Sequence, residues 1–175
     1  MSAEVVVACG LAVGLLLWSA RRWLMGRPNG WARLPGELRR AELIYSERPF
    51  RVGEPEAISA KVDRAYRRRD GVFVLLELKT RAHARAYPSD VIELSAQRMA
   101  LGSESGQPVA SHAYVLIQAP DGRFLGCRRV RLLPAREVVA LARRRRQLLR
   151  GALQPRANGA PHLCGDCAHS QRCGR

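Results

Sequence analysis

The run Val72-Phe73-Val74-Leu75-Leu76 constrains this chain most. Consecutive apolar residues bounded by Asp70-Gly71 before and Glu77-Leu78-Lys79 after read as a strand buried on both faces. Such a strand needs cover above and below, which suits a sheet packed with helices. Charges at its end either reach solvent or enter a site. Just upstream, Ile58, Ala60 and Val62 alternate with Ser59, Lys61 and Asp63, the period of a half-buried strand over Ile58 to Arg67.

The loop between these two strands decides which charges meet. A two-residue loop, Asp70-Gly71, sets Asp63 opposite Leu78 and on the wrong sheet face for Glu77. A three-residue loop, Arg69-Asp70-Gly71, uses a type I turn with glycine in the left-handed position. Arg68 then faces Val72, Asp63 faces Glu77, and Lys79 shares their face because it lies two residues further along the strand. In that register two carboxylates and an ammonium converge at one edge of the sheet.

The rest of the chain supplies the covering layers. Leu34 to Leu43 reads as a short helix, and Leu43 to Val52 as a strand before the hairpin. Asp90 and Glu93 have the spacing of N-cap and N3 in a capping box opening a helix to about Leu101. Ala113 to Gln118 and Phe124 to Leu133 are strands around the turn Pro120-Asp121-Gly122. A final helix runs from Pro134 to about Leu153, with Val138, Leu141, Ala142, Leu148 and Leu149 available to the core. The expected fold is α/β, a mixed central sheet flanked by helices over residues 34–153.

The N-terminus differs in kind. Val5 to Ala20 carries no charge, and extension through Trp23-Leu24 past Arg21-Arg22 gives about 20 residues, roughly 30 Å of helix. The expectation is a transmembrane anchor over residues 1–25, crossing through 5–24, and a linker over 26–33 containing Gly26-Arg27-Pro28-Asn29-Gly30. A signal peptide or a buried helix is the alternative. Glu4 precedes the span while Arg21, Arg22, Arg27 and Arg33 follow it, so the positive-inside rule sets the N-terminus outside and the domain in the cytoplasm, on a single-pass inner-membrane protein.

Lys and Arg number 30 against 15 acids, a net charge of +15, which favours polyanions: nucleic acid first, an anionic membrane second. An arginine-rich composition is the bland explanation. The block Arg143-Arg144-Arg145-Arg146 is either a phosphate-tracking surface or a face that meets solvent or anionic lipid.

Two carboxylates beside a lysine suit metal-assisted phosphodiester cleavage. Asp63 and Glu77 offer hard oxygen ligands to Mg²⁺ or Mn²⁺, and Lys79 can stabilise the charge of the transition state. The bland reading is a cross-strand salt bridge at the end of a hairpin. The segments ISAKVDR and DGVFVLLELKTR, followed by a helix carrying Gln97, resemble the core of the PD-(D/E)XK nuclease superfamily, and within it the RecB-type branch that includes the CRISPR-associated exonucleases of the fourth Cas family. Ser46-Glu47-Arg48 resembles the same branch.

That resemblance implies a restriction-endonuclease-like core, Asp63 and Glu77 as metal ligands, Lys79 as the catalytic lysine and Gln97 as an accessory active-site residue. It implies DNA as substrate, single-stranded ends above all. A helicase or other DNA-processing partner follows from the want of any ATP motif in the chain. Leu101 stands where the family's Gln-x-x-x-Tyr element has Tyr, and no His precedes Asp63. Glu42 or Glu37 is the expected source of an extra ligand.

The tail, residues 154–175, carries Cys164-x2-Cys167-x5-Cys173, a cluster that looks more like a metal site than a disulfide framework. It matches the cysteine pattern of the same nuclease branch, where thiolates hold a [4Fe-4S] cluster. A cluster here needs Cys127, a non-cysteine ligand or a second chain as its fourth ligand. Zinc with His162 or His169 in a Cys3His set is the alternative, and no metal the third possibility. The overall expectation is a membrane-anchored, Mg²⁺- or Mn²⁺-dependent DNA nuclease; the rival is a non-catalytic, membrane-tethered module that binds nucleic acid or anionic lipid.

Overall fold

The computed structural model describes residues 34–156. The anchor and linker segments, and the tail with Cys164, Cys167, Cys173, His162 and His169, lie outside the described residues. Among the described residues no helix is long and apolar enough to cross a membrane.

The elements run α1 (Gly36–Arg39), β1 (Glu42–Val52), β2 (Ile58–Arg67), β3 (Phe73–Thr80), α2 (Pro88–Ser105), β4 (Val109–Gln118), β5 (Phe124–Arg131) and α3 (Ala135–Leu149). The strands form one sheet in the order β1-β2-β3-β4-β5. Only β3 and β4 are parallel, joined by the crossover helix α2, while the other neighbours are antiparallel. This is the mixed, helix-flanked sheet that the sequence pattern implied.

The apolar run behaves as a doubly covered strand should. Phe73 and Leu75 join Leu94, Ala100 and Leu101 in the core beneath α2. Val74 and Leu76 join Leu34, Leu38 and Ala41 on the opposite face. All four strand residues are buried. At about 25 cal/mol per Å² of apolar area removed from water, this double burial stabilises the hairpin's place in the sheet.

The β2–β3 connection is the three-residue loop. Arg68 N–H donates to Val72 O and Gly71 N–H to Arg68 O, with Gly71 at φ 83°. The ladder pairs Arg67 with Phe73 and Arg64 with Leu76, so Asp63 lies next in register across from Glu77.

Beyond that point the hairpin does something the alternation pattern does not reveal. Val62 and Ala65 both enter the core under α2, so the buried phase of β2 changes between them. Across the β1–β2 ladder the paired residues are Ser46 with Arg64 and Arg48 with Val62; between them Glu47 adopts φ 54°, a left-handed conformation uncommon for a side chain with a Cβ. The β1–β2 hairpin bends there, and its outer half lays Phe50, Val52 and Val62 on α2.

Several expected boundaries move. The first helix is four residues, not Leu34 to Leu43, because its sequence continues into β1 from Glu42. Helix α2 begins at Pro88, a residue suited to a first turn because its missing N–H would be unpaired there anyway. Asp90 is therefore its N3 residue and not its N-cap, and its carboxylate accepts the Tyr87 N–H at 2.8 Å. The helix continues past Leu101 to a left-handed Gly106. In α3 the buried residues are Val138 and Val139, whereas Leu141 and Leu149 are exposed.

Candidate active site

Glu77 is the centre of the site. It stands at the end of the apolar run on the α2 side of the sheet, and only 2% of its surface is exposed. Its two oxygens are held by different elements: Lys79 Nζ lies 2.7 Å from Oε1, and Gln97 Nε2 donates to Oε2 at 2.9 Å. Asp63 closes the other side, where β2 leaves β3 beyond the Arg64–Leu76 pair. There its Oδ2 accepts the Leu78 N–H at 3.1 Å, so a side chain occupies the place of the next ladder partner. Asp63, Glu77, Lys79 and Gln97 are thus brought together as the hairpin register and the helix position require.

A fifth residue joins them. Glu93 Oε2 lies 2.8 Å from Lys79 Nζ, one helical turn before Gln97. In the sequence Glu93 stands out only by its capping-box spacing from Asp90. The available signal was its i, i+4 spacing from Gln97, which puts both on one helix face.

The electrostatics follow from burial. Desolvation pushes the Glu77 carboxyl up from its usual range, helped by the like charges of Asp63 and Glu93, while the hydrogen bonds from Lys79 and Gln97 oppose it. Burial alone would lower the Lys79 ammonium, but hydrogen bonds to Glu77 and Glu93 outweigh it and hold its pKa above the usual lysine value. The result is a buried acid kept at a cost beside a firmly charged lysine, a pattern more typical of a functional site than of a stabilising pair.

The segment between β3 and α2 is pinned by an ion pair that the sequence did not announce. Arg81 donates from Nη1 and Nη2 to Asp90 at 2.7 and 2.5 Å and from Nη1 to the Arg85 carbonyl at 3.0 Å; its guanidinium also lies over the Tyr87 ring. Burial would raise the Asp90 carboxyl, yet the Arg81 and Tyr87 hydrogen bonds bring it below the usual range. This clamp sets where α2 starts, and with it where Glu93 and Gln97 point.

The proposed extra ligands lie elsewhere. Glu42 is at the far end of the hairpin, in register with Arg67 and paired with it at 2.9 Å. At about 3.3 Å per strand residue it is roughly 13 Å along β2 from Asp63, beyond the reach of a shared cation. Glu37 is occupied on the opposite sheet face, where Arg68, Tyr114 and His112 approach it at 2.8, 2.8 and 2.9 Å. Burial opposes its ionisation, but those hydrogen bonds prevail and lower its pKa to about 2.

Cys127 sits half-buried on β5 with the α1-side core, and burial raises its thiol to about 11. The arginine block is divided: Arg143 and Arg146 clasp the buried Glu56 of the β1–β2 turn, at 3.0 and 2.5 Å, whereas Arg144 and Arg145 are exposed. Half of that block therefore ties α3 to the outer hairpin.

Among the described residues no three His, Cys, Asp or Glu side chains form a ready metal cage. Magnesium does not need one, since it takes one or two carboxylates and completes its shell with water and substrate phosphate. Asp63 and Glu77 are a pair of carboxylates of that kind. Gln97 Oε1, buried and with no hydrogen-bond partner among the described residues, is a further hard oxygen beside them. The donor set fits a hydrated Mg²⁺ or Mn²⁺.

A mixed five-stranded sheet flanked by helices fits a restriction-endonuclease-like core. The family model of the PD-(D/E)XK nuclease superfamily matches residues 7–174, and the chain belongs to that superfamily, whose members are typically phosphodiester-hydrolysing nucleases using Mg²⁺ or Mn²⁺. None of the curated proteins matches it. Among solved structures, one titled "Crystal structure of SSO0001" is similar, at 15% identity and a TM-score of 0.46, over 98% of this chain and 73% of that one.

Proposed function

We propose that the protein is a divalent-metal-dependent DNA nuclease whose site is Asp63, Glu77, Lys79 and Gln97. The observation that carries this is the buried Glu77, held between Lys79 and Gln97 at the point where β2 and β3 separate beside Asp63. Asp63 and Glu77 would hold a divalent cation, which when bound supplies Lewis-acid activation of water and phosphate. Gln97 orients the Glu77 carboxylate through its amide N–H. Lys79 keeps a fixed positive charge at the site, placed to stabilise the oxyanion that develops on the phosphate. A strand of DNA would approach Asp63 and Glu77 where β2 leaves β3 beyond the Arg64–Leu76 pair.

The finer parts of the reading rest on sequence pattern. They are the RecB-type resemblance, action on single-stranded ends with a helicase-like partner, and the tether through residues 5–24 that leaves the domain on the cytoplasmic side of an inner membrane. Iron–sulfur or zinc ligation by Cys164, Cys167 and Cys173 belongs with them. Arg144 and Arg145 are the part of the arginine block available to phosphate or anionic lipid.

The test is to incubate the full-length chain with labelled single- and double-stranded DNA and Mn²⁺ or Mg²⁺, beside Glu77→Ala and Lys79→Ala. Metal-dependent cleavage lost in both variants is expected. Cleavage that survives both refutes the assignment. The rival, a non-catalytic module on a nuclease scaffold, draws on Leu101 standing where the Gln-x-x-x-Tyr element has Tyr. It predicts DNA or lipid binding with no cleavage in any metal.

A further inference from the structure

Lys79 is shared. Its ammonium lies 2.7 Å from Glu77 and 2.8 Å from Glu93, so one cation serves two carboxylates from two elements, β3 and α2. The carboxylates are unequal. Glu77 is buried and its other oxygen belongs to Gln97, whereas the Glu93 side chain is 48% exposed and faces solvent beyond the lysine. Helix α2 therefore grips the Glu77–Lys79 pair twice on one face, through Glu93 on the lysine and Gln97 on the carboxylate.

An exposed pair of this kind is ordinarily worth little, because water screens it and two long side chains must be ordered. Its position gives it another consequence. Any divalent cation at Asp63 and Glu77 meets a charge already bonded to Glu77, and like charges a few ångströms apart repel strongly in a partly buried site. Lys79 must loosen from Glu77 without leaving. Among the described residues, Glu93 is the carboxylate seen on its other side.

We infer that Glu93 is a positioning residue that takes over the Lys79 ammonium when Glu77 turns to a divalent cation, keeping the lysine in the site and limiting its competition for Glu77. This rests on the reading of Asp63 and Glu77 as a cation site. Without Glu93 the ammonium falls wholly to Glu77, so cation binding weakens through the lysine and only through it. Glu93→Gln preserves shape on a half-exposed helix face and removes the charge.

The experiment is a double-mutant cycle on Mn²⁺ affinity, measured by titration calorimetry on the full-length chain, with thermal melts to show that each variant is folded. Glu93→Gln is expected to weaken Glu77-dependent Mn²⁺ binding about fivefold, within the range for residues sharing one network. Lys79→Met is expected to tighten it. In the Lys79→Met background, Glu93→Gln should have no further effect.

An unchanged affinity on Glu93→Gln alone makes the contact a solvated surface pair and overturns the inference. Equal weakening in both backgrounds overturns it differently, because Glu93 then acts on the cation directly. Both results leave the cation site standing. If the unmodified chain shows no Mn²⁺ binding that Glu77→Gln removes, the reading of the site fails and this inference with it.

Discussion

Replacing Asp90 by Asn tests whether the Arg81 clamp positions the site helix. Asp90 is 1% exposed and receives two Arg81 N–H groups together with the Tyr87 N–H. Removing one partner of a buried ion pair costs about 3–5 kcal/mol, because the other charge is left without compensation. The Arg81 side chain keeps some contact with water and retains the Arg85 carbonyl and the Tyr87 ring. The lower end, about 3 kcal/mol, is therefore expected.

The pH dependence has a definite sign. The Asp90 carboxyl is lowered from its ordinary 3.8, so the stability it contributes is fully present above that value and is lost as pH falls through the lower folded value. Urea unfolding of the full-length protein and of Asp90→Asn should differ most at pH 6 to 7 and converge at more acid pH. Nuclease activity should fall with Asp90→Asn as well, through misplacement of Glu93 and Gln97. A stability difference below about 1 kcal/mol at neutral pH, the worth of an exposed pair, would refute the clamp as described.

Glu77→Gln should abolish cleavage without lowering the melting temperature at pH 7. Burial raises the Glu77 carboxyl from 4.5, so it subtracts stability as pH rises past that value, and the neutral amide avoids the cost; a large loss of stability would contradict this. Lys79→Met should lower the cleavage rate by about 10²- to 10³-fold, the scale of losing one transition-state donor, as read from single-turnover kinetics. Glu37→Gln should cost at most about 3 kcal/mol at pH 7, and the difference should shrink as pH falls from 4.5 and vanish only below about 2, since the Glu37 pKa drops from 4.5 to about 2. Gly71→Ala meets no atom within 4 Å, so its cost is the backbone's alone, about 1–2 kcal/mol for a left-handed residue, measurable by urea midpoint.

The hairpin, and the convergence of Asp63, Glu77 and Lys79 on it, were legible because they are local. The loop Arg69-Asp70-Gly71 admits one turn chemistry that aligns Asp63 with Glu77, and strand periodicity then sets Lys79 on the same side. The apolar run determined that β3 is covered on both faces, whereas its middle place in the sheet is a matter of strand order. The mixed sheet follows from strands interrupted by one crossover helix.

Glu42 and Glu37 lie away from Asp63 and Glu77, because nearness in sequence to the first motif says nothing about distance along an antiparallel hairpin or about sheet face. Both are acids that already have cationic or hydrogen-bonding partners at the other end of the sheet. The arginine block concealed a tertiary contact for a similar reason. Its residues look alike, and only the docking of the β1–β2 turn against α3 brings Glu56 to Arg143 and Arg146.

What only the tertiary structure decided is how the hairpin meets α2. The bend at Glu47 and Asp63, the Arg81–Asp90 clamp and the contact of Glu93 with Lys79 all join residues whose geometry depends on where the crossover helix lands. Turn chemistry and strand period act over a few neighbouring residues and are written in the sequence. The partners of a charged side chain depend instead on packing between separate elements, which periodicity can orient but cannot place.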